Sequence, residues 1–209
     1  MQLLTLVKIL HLIGLIMGLG GAVLLDFSIF RRGVVRPVSR FTVHQAITLS
    51  RIVSFGLVML WLTGAALIAI GYAAKPEYIE NPKLWAKVLI VWILTVNGFA
   101  IHAKVLPLLK RSVGRTIFAG RPKRQIGFLT GLGAISFTSW VTPFVLGKAS
   151  ELNYVTPMLP ILGVYAAAVV AVWAGLFLLM CSIGWIQHRV HRGIEALMRP
   201  SEPWEIDFK

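Results

Sequence analysis

The stretch Leu3–Leu25, LLTLVKILHLIGLIMGLGGAVLL, decides the fold. As one helix it is long enough to cross about 30 Å of hydrocarbon, a distance that needs roughly 20 residues. Only Thr5, Lys8 and His11 interrupt it with polar chemistry. Lys8 and His11 stand three residues apart and so share one helical face. Ionisable groups in a membrane span are expensive to keep there and usually mark function.

Four more apolar stretches of spanning length follow. With the first, the predicted helices run over about 3–26, 46–72, 84–106, 126–146 and 157–187. The fold class is therefore all-α: an integral membrane bundle of five transmembrane helices over residues 1–188, with a basic and polar tail at 189–209. Composition agrees, because 57% hydrophobic content and a mean hydropathy of +0.78 exceed what a water-soluble core of 209 residues can bury. No soluble domain, internal repeat or low-complexity segment is visible. No small-residue cleavage site precedes Asp26, so the first helix reads as retained rather than as a removed signal. The fifth stretch is longer than a span requires and is expected to tilt or to continue as an amphipathic extension through His188, Arg189, His191 and Arg192.

A net charge of +13 could serve nucleic acid, but the basic residues sit in short connectors between apolar spans and form no soluble basic module. Nucleic-acid binding is excluded, and lipid is the expected partner. The connector after the first span holds Arg31, Arg32, Arg36 and Arg40; that after the third holds Lys110, Arg111, Arg115, Arg121, Lys123 and Arg124. The other two connectors mix Lys75, Lys83 and Lys148 with Glu77, Glu80 and Glu151. Positive-inside bias then puts the N-terminus outside and the C-terminus inside a bacterial inner (plasma) membrane. The single Cys181 rules out an intrachain disulfide and reads as a small buried hydrophobe. The chain is compatible with a homo-oligomer.

Gly14, Gly18, Gly20 and Gly21, and Gly127, Gly131 and Gly133, have the small-residue spacing that lets membrane helices approach closely, which places the first and fourth helices in the bundle interior. Pro107 and Pro143 read as terminators or kinks near helix ends. Trp61, Trp85, Trp140 and Tyr72 read as interface anchors.

The polar residues form two layers. Measured from the outer end, Lys87 lies roughly 5 Å deep, Lys8 about 8 Å and His11 about 12 Å, taking about 1.5 Å of rise per residue. If the first and third helices meet, this layer joins an imidazole to two ammonium groups without an acid, an arrangement that an anionic ligand would relieve. Lysines snorkelling to the headgroups, with His11 in one interhelical hydrogen bond, is the alternative. The second layer, toward the cytoplasm, contains Asp26, Arg51, Asn97 and His102, with His44 nearby. Asp26 and Arg51 are candidate ion-pair partners, and Asn97 a candidate interhelical hydrogen-bond donor. His11 and His102 are about 15 Å apart along the membrane normal by the same rise, so they cannot ligate one haem from opposite faces. A haem at His11 would take methionine, lysine or an open position as sixth ligand. His188 and His191 share a face but lack a third ligand, and read as part of a lipid-facing basic patch. No phosphate-binding loop, dinucleotide fingerprint, zinc-protease motif or serine nucleophile elbow appears.

Leu6-Val-Lys-Ile-Leu-His11 resembles the first-helix Lys-x-x-His pattern of HemJ-type membrane protoporphyrinogen oxidases, and Leu84-Trp-Ala-Lys87 with Val-Leu-Ile-Val looks like their third-helix lysine segment. The third-helix segment, continued to Asn97, is also similar to the CopD copper-resistance family. Both resemblances lie within residues 1–110. The HemJ resemblance implies haem b or a porphyrin in the bundle, with His11 as axial ligand to the haem iron and Lys8 and Lys87 near the propionates or substrate carboxylates. The third helix departs from that pattern, having Asn97 and Phe99 before its histidine at His102. The CopD resemblance implies copper binding or movement instead, and six dispersed methionines form no copper path. The expected function is haem or porphyrin binding with an oxidase-like redox role; copper transport or resistance and a structural membrane subunit are the alternatives.

Overall fold

The computed structural model describes residues 2–29, 36–118 and 121–198, with side chains described as far as Gly184. The helices are α1 (Gln2–Ile29), α2 (Arg40–Ala74), α3 (Pro82–Ala100), α4 (Leu106–Arg111), α5 (Lys123–Lys148) and α6 (Met158–Met198). A π-helical turn, Ile101–Val105, joins α3 to α4, so that Pro82–Arg111 is one run. Five helical segments are long and apolar enough to cross a membrane. Among the described residues the only β pairing is a single bridge between Val38 and Val113. Arg31 and Arg32, and the side chains of His188, Arg189, His191 and Arg192, lie outside the described residues.

Local chemistry explains where the helices differ from the expected bounds. The second helix starts at Arg40, because the Ser39 side chain accepts from the Thr42 amide at 3.1 Å and caps a turn that hydropathy alone does not reveal. α3 starts at Pro82, where proline suits a first-turn position, and Asn81 Oδ1 accepts from the Lys83 amide at 3.1 Å. The sixth helix runs on to Met198, so the chain stays helical through the extension expected at 188–192 and past the domain boundary expected at residue 188. Pro107 has no amide to donate and its ring would crowd the preceding turn, and the wide π turn lies just before it, with the Leu106 amide donating to the Ile101 carbonyl. Pro143 lies inside α5, which continues to Lys148, so of the two expected roles it does not fill that of a terminator.

The helices form two groups. α1 packs along α2, while α5 packs against both α3 and α6; α1 crosses α5, and α2 touches α4. α1 and α3 are not a packed pair. The α1–α2 contact is backbone against backbone: a Cβ on Gly56 would lie 2.7 Å from Gly14 O and 2.7 Å from Gly18 N. Gly18 also receives the indole of Trp140, for which a Cβ there would leave only 2.1 Å. Trp140 is thus a buried core residue, 2% exposed, and not the expected interface anchor. Trp61 is likewise not an anchor, since its Nε1 donates to Thr95 Oγ1 at 3.0 Å and ties α2 to α3. Trp85 and Tyr72 are exposed, in keeping with an interfacial place. Gly127 and Gly131 face Phe177 and Trp173 of α6, whereas Gly20 and Gly133 have nothing close, so the glycine pattern marks three separate contacts rather than one.

Each end of the bundle is tied. At the end holding Glu77 and Glu151, Lys83 is 4% exposed and donates from Nζ to Ala149 O at 2.6 Å, where its charge meets the negative end of α5. Asn81 there donates to Asn153 Oδ1 at 3.3 Å, beside Tyr154, whose φ is 61°. At the basic end, Val38 N donates to Arg115 O at 3.0 Å and Gly114 N to Val38 O at 2.9 Å, which joins the two arginine-rich connectors. Gly114 holds φ 83°, a conformation that suits a residue without Cβ.

Candidate functional site

His11 sits half-buried on α1 against α2. Its Nδ1 is 2.8 Å from Thr63 Oγ1, and the Thr63 hydroxyl donates to Met59 O at 2.6 Å. A hydroxyl has one proton, so Thr63 accepts from His11 Nδ1–H. The neutral imidazole is then fixed as the tautomer whose Nε2 carries the free lone pair, and Nε2 has no hydrogen-bond partner among the described residues. The ring edge rests at 3.7 Å from where a Cβ on Gly64 would lie. A ring nitrogen held by a neighbouring acceptor while the other stays available is the arrangement that orients a histidine toward a metal.

Lys87, half-buried on α3, is close enough to His11 to act on it electrostatically, although α1 and α3 do not pack. Lys83 acts on Lys87 in turn. Lys8 is exposed and makes no hydrogen bond or ion pair among the described residues, so the structure brings together His11 and Lys87 and leaves Lys8 outside. For Lys8 the snorkelling alternative fits that exposure.

The second layer is dispersed around a cavity of about 860 Å³, which lies between the two helix groups toward the basic end. Its walls are mostly apolar and come from α1, α2, α3, α4, α5 and α6. Asp26 and His102 line it; Asn97 and Arg51 do not. His102 Nδ1 donates to Gly98 O at 2.9 Å, leaving Nε2 free, and the residue stands in the π turn, a geometry often found at functional sites. The expected Asp26–Arg51 ion pair does not form among the described residues: no neighbouring charge acts on Asp26, and Arg51 is exposed. Arg51 stands well inside α2, with its long side chain on the exposed surface rather than turned toward Asp26. Asn97, 5% exposed, donates from Nδ2 to Leu132 O at 3.1 Å, the interhelical bond expected of it, and its Oδ1 has no partner.

Sequence reasoning missed Thr63 and the cavity. Gly56 and Gly64 on the second helix, read beside Gly14 and Gly18, hold the signal of a close α1–α2 pair that would have directed attention to Thr63. Among the described residues no three His, Cys, Asp or Glu side chains gather as a metal-binding group. Comparison with known proteins adds no relative: no family model fits the chain, and neither a curated protein nor a solved structure matches it.

Proposed function

We propose that this multi-pass membrane protein holds haem b or a related porphyrin in the layer of His11 and Lys87 and takes part in redox chemistry there. The observation that carries this reading is the His11–Thr63–Met59 chain, which leaves Nε2 as the available ligand atom. The donor set suits the group: one imidazole for the iron, and the Lys87 ammonium for a propionate. The charge of a macrocycle with anionic arms suits this positive layer better than the 860 Å³ cavity, whose wall carries the Asp26 carboxylate. When bound, the group supplies one-electron chemistry. The chain's own residues orient its iron through His11, balance its charge through Lys87, and keep water away with the surrounding apolar helices.

The test is the absorption spectrum of the detergent-purified chain. A Soret band that is lost in His11→Ala supports the reading; a colourless protein, or one that carries copper instead, overturns it. The positive-inside bias further supports a placement in a bacterial inner membrane with the basic connectors in the cytoplasm.

A further inference from the structure

The 860 Å³ cavity has features that the His11 layer lacks. Its volume is in the range of small-molecule sites, about 300–1,000 Å³. Six aromatic side chains line it, Phe27, Trp61, Phe99, Phe118, Phe137 and Trp140. Phe27 and Phe99 are also 58% and 74% exposed on the bundle's apolar surface, so the cavity communicates sideways with the hydrocarbon layer. A molecule entering this way must itself partition into lipid.

Asp26 sets the charge of that molecule. It is the only acidic residue within the five spanning segments, and its exposed side chain lines the cavity. No described cation faces it: Arg51 is exposed and does not line the cavity, and the other titratable wall residue, His102, has its Nδ1 proton engaged by Gly98 O. A carboxylate without a partner in low dielectric is costly. An anionic ligand would raise that cost and a neutral one would leave it; a cation offsets it and gains further from aromatic faces. We infer that the cavity is a binding site for lipophilic organic cations, with Asp26 as the counter-charge and the aromatic side chains as the wall.

Tetraphenylphosphonium is a suitable probe, measured by equilibrium dialysis against the full chain in lipid nanodiscs with empty nanodiscs as reference. Saturable binding above the reference is expected, weakened at least tenfold by Asp26→Asn and retained by Asp26→Glu. Gly133→Phe is a second, independent variant: Gly133 lines the cavity and a Cβ there meets nothing within 4 Å, so a phenyl ring can occupy the space without disturbing the helices. It should also cost at least tenfold. His11→Ala should bind the probe normally, which separates this site from the porphyrin layer. Binding no greater than to empty nanodiscs, or binding indifferent to both Asp26→Asn and Gly133→Phe, overturns the proposal; should Asp26→Asn fail to fold, Gly133→Phe alone decides.

Discussion

His11 shows how one hydroxyl can define a nitrogen's chemistry. Thr63 gives its proton to Met59 O and so takes one from Nδ1, and the result is an imidazole with a single defined lone pair. Thr63→Val keeps the shape and removes that acceptor. If His11 ligates haem, titration of the apo-protein with haem should show affinity falling roughly 10–100-fold, the usual cost of losing an outer-shell partner. Unchanged affinity would mean that Thr63 positions nothing. The histidine itself was legible in sequence because an imidazole in an apolar run is conspicuous. Its partner was not, since a threonine in a membrane helix normally bonds its own backbone four residues back, as Thr63 also does. Only the register of α1 on α2 distinguishes it. Lys8 illustrates the converse, being equally conspicuous in sequence yet turned outward.

Among the elements, α1 and α2 have the closest contact. Gly56 has the backbone of Gly14 and Gly18 against it, and no side chain can yield there. Gly56→Ala should therefore destabilise the bundle by about 2 kcal/mol, in the range of overpacked cores. Thermal unfolding in detergent checks this, with Gly20→Ala, which meets nothing within 4 Å, as the neutral comparison. Hydropathy located all five spans because lipid demands long apolar runs, but it left the helix ends to capping groups such as Ser39 and Asn81. Trp140 and Trp61 were misassigned for a related reason. An indole near a span end suits the interface in general, and only packing reveals a glycine opposite or a threonine within reach. The π turn at Ile101–Val105 has no clear sequence signal apart from Pro107 following it.

For the whole molecule, division into an α1–α2 pair and an α3–α5–α6 group accounts for the cavity, since space is left beside the local ties that Trp140 and Trp61 make between the two units. That division was not legible in the sequence, because each helix is apolar on several sides and lipid covers whatever helices do not. Which connectors share an end, in contrast, was legible from the distribution of basic residues. The Val38–Val113 bridge brings the two arginine-rich connectors to one end, as their common assignment to one side of the membrane requires. A cytoplasm-active reporter fused after Lys209 should be active; one active only in the periplasm would reverse the proposed orientation.

The α1–α2 contact also bears on how the protein is made. The two helices emerge from the ribosome before α3, α5 and α6, and chains acquire structure from the N-terminal side during synthesis. Their backbone contact uses nothing from later segments, whereas the Trp140 indole can reach Gly18 only after α5 has been inserted. Among these helices the α1–α2 hairpin can therefore form before the tryptophan closes on it. Errors at Gly14 or Gly56 would accordingly surface as nascent chains cleared by membrane proteases, and errors at Trp140 as full-length protein that accumulates but stays loose.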